Sequence, residues 1–137
     1  MLISAIAMST ATGCASGGSG ELPGPPPGVV DYQGNASTTA AQLAMADLHH
    51  RLEASYPGEK WGISRYSADP AMSWERVRGH YADVLGSTWT SQSRYDGEAS
   101  GYRSAAWRKG DHVVAIAWQL PSPPDTQPVL TVFLPRH

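Results

Sequence analysis

The side chains best suited to chemistry cluster in His49-His50-Arg51-Leu52-Glu53, where His49 and Glu53 stand one helical turn apart and can face the same ion. His80 and Asp83 repeat the arrangement further along the chain. Zinc needs about three protein ligands around one point and a single turn supplies two, so a metal centre requires His80 to meet His49 and Glu53. A small metal-dependent hydrolase using these three residues is the enzymatic alternative for this chain. The plainer account of the same residues is a solvated pair at a helix edge and a boundary histidine. Other catalytic patterns are missing from the sequence. No Gly-x-Ser-x-Gly elbow occurs, the one thiol is Cys14, and Asp83, Asp96 and Glu98 sit where solvated helix and turn acids normally sit. Gly17-Gly18-Ser19-Gly20 precedes no strand or helix and so cradles no phosphate. No cofactor is expected and no catalytic residue is assigned.

Binding has more support. Trp61, Trp74, Trp89, Trp107 and Trp118 are many for so small a domain, and strict alternation cannot place them all in one core. Trp89 and Tyr95 lie on an alternating segment with small hydroxyl residues between them. Together with Tyr102 they are expected to form an aromatic face, with Arg94 and Arg103 at its rim. Such a surface suits a protein partner or a cell-wall ligand. The competing account makes the tryptophans large core fillers. A formal net charge of −2 with mixed signs leaves no basic stripe, so nucleic acid is not an expected partner.

At the N-terminus, Leu2-Ile3-Ser4-Ala5-Ile6-Ala7-Met8 leads into Ala11-Thr12-Gly13-Cys14, which resembles the lipobox of bacterial lipoproteins. That resemblance implies transfer of a lipid, carrying fatty-acyl chains such as palmitate, to the Cys14 sulfur and cleavage just before it. Residues 1–13 are then a signal peptide, and the product is a cell-envelope protein held at a membrane and facing outside the cytoplasm. One departure from the pattern is that no Lys or Arg precedes the apolar run. Lipidation also explains why an exported chain carries a single, unpairable cysteine. The run itself is shorter than the roughly 20 residues of a permanent span. Residues 14–34, rich in Gly, Ser and Pro, are expected as a tether. The overall look, rich in Ala, Gly, Arg and Trp, resembles lipoproteins of high-GC bacteria, which implies a setting and no activity.

These groups must be positioned by a single small domain over residues 35–137. Thr39 and Gln42 have capping-box spacing, and Ala41, Ala44, Met45, Leu48, Leu52 and Tyr56 form one apolar stripe, so a first helix is expected up to Pro57-Gly58. A second is expected from Asp69-Pro70 to Gly86, burying Trp74, Val77, Tyr81, Val84 and Leu85. Trp61 to Tyr66 reads as a short strand, and from Thr88 to Tyr95 the period becomes alternating. Tyr102 to Arg108 and His112 to Leu120 form a hairpin around Gly110, with Val114, Ile116, Trp118 and Leu120 facing the core. Val129 to Leu134 is a final strand, apolar enough to pair with another chain at an open edge. The expected fold is α+β, two helices packed on one face of a short antiparallel β-meander. Its element order is similar to that of outer-membrane assembly factors and β-lactamase inhibitor proteins, with no shared motif. The expected function is that of a non-enzymatic envelope lipoprotein, a binding module of inhibitor, immunity or assembly-accessory type.

Overall fold

Ala41, Ala44, Leu48 and Leu52 recur at helical spacing, and they line the buried side of the first helix, α1 (Ala40–Ser55), in the computed structural model. The structure describes residues 22–32, 40–99, 101–121 and 126–136. The expectations for residues 1–13, for Cys14 and for the cap at Thr39 lie outside the described residues. The helix closes with the Tyr56 N–H donating to the Leu52 carbonyl at 2.8 Å, and the Pro57-Gly58 turn leads into β2 (Trp61–Ala68).

The second helix, α2 (Trp74–Leu85), begins later than Asp69-Pro70 suggests. Asp69 instead makes a turn of its own, its Oδ1 accepting from the Ala71 N–H at 2.8 Å, and Ser73 caps the helix by accepting from the Arg76 N–H at 3.2 Å. The reason is Met72. In a helix running on from Pro70 it would lie opposite Val77 and Tyr81, whereas the turn lets it enter the core, where it is 7% exposed. Val84, expected inside, is exposed. Gly86 ends the helix at φ +72°, a conformation that glycine adopts without strain.

The expected strand from Thr88 to Tyr95 does not form as one. It divides into a 3₁₀ turn (Gly86–Thr88), a two-residue strand β3 (Thr90–Ser91) and a second 3₁₀ turn (Ser93–Tyr95), followed by β4 (Gly97–Ala99). Ser, Thr, Gln and Arg give this segment no apolar face to hold a longer strand flat, and the Gln92 N–H bridges to the Ala106 carbonyl at 2.8 Å where pairing lapses. The hairpin β5 (Tyr102–Lys109) and β6 (His112–Gln119) forms as expected, with Gly110 at φ +59° in the turn. The last strand is β7 (Val129–Pro135).

With β1 (Val29–Asp31), the strands make one antiparallel sheet in the order β1-β2-β7-β6-β5-β3, with β4 also paired to β5. The β7 strand is therefore central, between β2 and β6, and presents no open edge. Strand β1 comes from the expected tether, pairing Val30 with Ser67. Of that tether the described part, residues 22–32, packs on the domain. Leu22 and Val29 join the core, Pro23 and Pro26 are buried, and His80 Nε2 lies 3.0 Å from the Gly24 carbonyl oxygen.

The two helices do not share a face. Val77, Tyr81 and Leu85 of α2 pack with Trp107, Val114, Ile116, Trp118 and Val132, while Ala44, Leu48 and Leu52 of α1 pack with Trp61, Ala106, Val113, Ala115, Ala117 and Phe133. Successive strand residues point to opposite sides, so these two sets define opposite faces and three layers, helix, sheet, helix. The run Val113-Val114-Ala115-Ile116-Ala117-Trp118 is buried throughout because both faces are covered. Leu120, beyond the end of the strand, is 61% exposed rather than in the core. Alanines at 106, 115 and 117 let α1 approach the sheet closely, whereas the tryptophans at 107 and 118 hold α2 further off.

Tyr81 is fully buried against Trp107, with ring centroids 6.4 Å apart, and its hydroxyl finds no hydrogen-bond partner among the described residues. An unsatisfied buried hydroxyl costs more than its removal, so Tyr81→Phe should leave urea-unfolding stability unchanged or raise it by up to about 1 kcal/mol. A loss larger than that would mean that the hydroxyl is paired in solution.

Candidate functional site

The three residues of the expected metal centre do not converge. His49 and Glu53 form a pair on α1, Nε2 to Oε2 3.5 Å, with the His49 ring against Trp61 at 6.1 Å and Phe133 at 5.8 Å between centroids. His80 is on α2, across the sheet, its ring against Tyr81. Among the described residues no three His, Cys, Asp or Glu side chains are grouped to hold a metal ion. The physical reason is the two-sided sheet, which separates helices that a one-sided arrangement would have placed together.

The expected aromatic face is also corrected. The 3₁₀ turns send Trp89 toward the α2 side and Tyr95 toward the α1 side, and both Tyr95 and Tyr102 are buried, at 2% and 1% exposure. Tyr102 is a core pin. Its hydroxyl donates to Asp47 Oδ2 at 2.7 Å and accepts from Arg51 Nη1 at 2.9 Å, while the Tyr95 hydroxyl donates to the Arg51 carbonyl at 3.3 Å. Burial, reinforced by the Asp47 carboxylate and opposed by Arg51, pushes the Tyr102 hydroxyl up to about 12. Arg94 donates to Ser55 Oγ at 3.0 Å.

What the fold does build, on the α2 side, is a recess of about 210 Å³. The register places Glu98 beside Arg103 and Arg103 beside Trp118, one row across β4, β5 and β6. Above this row stands the first turn of α2 with Ser73, Trp74 and Glu75, and Met72 and Leu120 close the sides. The backbone of Gly101 and Tyr102 completes the wall that Arg103 begins. Glu75, Glu98 and Arg103 are exposed and make no ion pair or side-chain hydrogen bond with another described residue. No family model, curated protein or solved structure matches the chain. The recess therefore has to be judged on its own chemistry. It offers a recess of side-chain size whose lining is about half apolar, with Trp74 and Leu120 reaching its surface, Trp118 nearly sealed beneath and charges of both signs at its rim, an arrangement that can anchor one inserted side chain and orient its flanks. Of the residues assigned from sequence to the aromatic face and its rim, Tyr102 and Arg103 border it. Trp74, Glu75, Glu98, Trp118 and Leu120 were missed as a group, because only the β4-β5-β6 register and the displaced start of α2 bring them together.

Proposed function

We propose that the protein is a cell-envelope lipoprotein, anchored through Cys14, whose domain binds another protein by accepting one of its apolar side chains in the Trp74–Trp118 recess. The observation that carries this reading is the combination of an exposed Leu120, two tryptophans and three unpartnered charges around one opening. Charged rim residues of that kind set orientation and partner choice, while the apolar part of the lining supplies affinity. The anchoring half of the reading rests on the Ala11-Thr12-Gly13-Cys14 pattern. Leu22, docked on the domain, follows Cys14 by eight residues, so a lipid there would hold the domain within about 28 Å of the membrane.

Two measurements on the full chain expressed in a bacterium test the halves separately. Intact mass and detergent partitioning should show a diacylglycerol-sized addition on a chain beginning at Cys14, lost in Cys14→Ala. An unmodified chain still beginning at Met1 would overturn the anchor. A photo-crosslinking side chain at position 120 should give one discrete protein adduct that Arg103→Glu weakens, and the same side chain at position 43, which is 72% exposed on α1, should give none. Equal labelling from both positions, or none from position 120, would remove the recess as the docking point.

A further inference from the structure

At the end of the sheet away from the recess, a cleft of about 500 Å³ opens between the end of α1 and the β5–β6 turn. Ser55, Tyr56, Pro57 and Gly58 form one wall, and Arg108, Asp111 and His112 the other, with Glu59 at the base. Its volume falls in the range of small-molecule sites, and the cleft is open to solvent with a lining about half polar.

Arg108 is held in place before any ligand arrives. Its guanidinium carbon lies 5.7 Å from the Tyr56 ring centroid, and its Nε donates to the Gly110 carbonyl at 2.8 Å. It forms no ion pair with a described residue, although Asp111 and Glu59 line the same cleft. The Glu59 carboxylate is committed elsewhere. The pairing of β6 with β7 starts at Ala115, so the backbone of Val113 has no strand partner on that side. Glu59 Oε2 accepts the Val113 N–H at 3.0 Å, and Trp61 Nε1 donates to the Val113 carbonyl at 2.8 Å. The same Glu59 oxygen lies 3.3 Å from His112 Nδ1, fixing the imidazole against the wall. What remains is a guanidinium fixed from two sides, with no carboxylate of the described residues in direct contact with it.

We propose that this cleft binds a small carboxylate-bearing molecule that also carries hydroxyl or amine donors, of the class of sugar acids, hydroxy acids and amino acids. The planar fork of Arg108 matches a carboxylate in two parallel hydrogen bonds, and its fixed position removes part of the ordering cost of binding. Asp111, on the same wall, is available to accept from a hydroxyl or amine of the ligand. Two carboxylates, Asp111 in the wall and Glu59 at the base, stand beside the one arginine and repel a phosphate dianion more strongly than a monoanion, which is why the carboxylate is chosen. The site is separate from the recess and does not depend on the anchor.

The test is a backbone-amide NMR titration of the full chain with glucuronate, lactate and alanine, alongside glucose and inorganic phosphate. At least one of the three carboxylates should give saturable shifts confined to residues 55–59 and 108–113. Glucose and phosphate should bind at least about tenfold more weakly. Arg108→Gln should abolish the shifts, and Arg108→Lys, which keeps the charge and loses the fork, should weaken binding by about tenfold or more. The amide spectrum near Trp118 reports whether either variant still folds. Failure of all three carboxylates, phosphate binding as tight as theirs, or binding that survives Arg108→Gln in a folded protein would each overturn the assignment.

Discussion

Phe133→Ala is expected to cost about 3–5 kcal/mol of unfolding free energy, the range of a buried Phe truncated to Ala, and to lower the thermal midpoint by about 10 °C or more. Phe133 is the one phenylalanine of the chain and is fully buried, between Ile63 and Ala115 on the neighbouring strands and under the His49 ring. Its face of the sheet is otherwise lined largely by small residues, Ser104, Ala106, Ala115, Ala117 and Thr131. The helix α1 already sits close over those alanines, so it has little room to settle into the space that a lost ring leaves. A domain of ordinary stability, about 5–15 kcal/mol, would lose at least about a fifth of it. Urea unfolding of the wild type against the variant measures the effect. If both helices lay on the α2 side, Phe133 would face solvent and the substitution would cost under about 0.5 kcal/mol, so a near-neutral result would refute the three-layer arrangement.

The elements that formed as the sequence predicts are those whose apolar period is strong over a long stretch. The stripe of α1, the Val77, Tyr81 and Leu85 face of α2, and the β5–β6 hairpin with its glycine are of this kind. The layer arrangement was misread at Val113-Val114-Ala115-Ile116-Ala117-Trp118. Alternation picks out Val114, Ile116 and Trp118 and passes over Ala115 and Ala117, because alanine announces neither face. A strand apolar at every position is better read as covered on both sides. The segment from Gly86 to Tyr95 misled for the opposite reason. Its alternation involved Trp89 and Tyr95 and little else that is apolar, so nothing held it extended, and the two aromatics ended on opposite faces. Strand β1 was hidden in a Pro- and Gly-rich stretch that is ordered by Pro23, Pro26 and the ladder to β2 rather than by its own propensity. The recess and the cleft share a further obstacle. Glu98, Arg103 and Trp118 meet through strand register, and Glu59 meets His112 across 53 residues of sequence, so no local window displays either group.

Above about pH 10 the domain should lose stability steeply, and buried tyrosines set the slope. Tyr102 has its hydroxyl pushed up to about 12, first by burial and then by the Asp47 carboxylate that accepts its proton. Tyr81 is pushed up further, by burial and by the neighbouring Tyr66, and Tyr56 is raised by burial and by Tyr95 against the opposing pull of Arg94 and Arg108. In each case the folded protein holds the phenolic proton more tightly than the unfolded chain does. The stabilisation is therefore fully present below about pH 10, where the unfolded tyrosine is still protonated, and is lost as pH rises from there through the folded value. For Tyr102 that window runs from about 10 to about 12, and for Tyr81 it extends higher. Each fully buried tyrosine contributes a slope of up to about 1.4 kcal/mol per pH unit, so Tyr81 and Tyr102 together can take about 3 kcal/mol per unit from the folded state. Chemical unfolding followed at successive pH values, with tyrosinate absorbance as the second signal, measures this directly. Tyr102→Phe should start lower at neutral pH, because Asp47 and Arg51 lose their shared partner, and should fall about half as steeply above pH 10. A wild-type profile that stays flat through this range would show that these hydroxyls reach solvent, and with it that α1 does not seal the face of the sheet that Tyr102 pins.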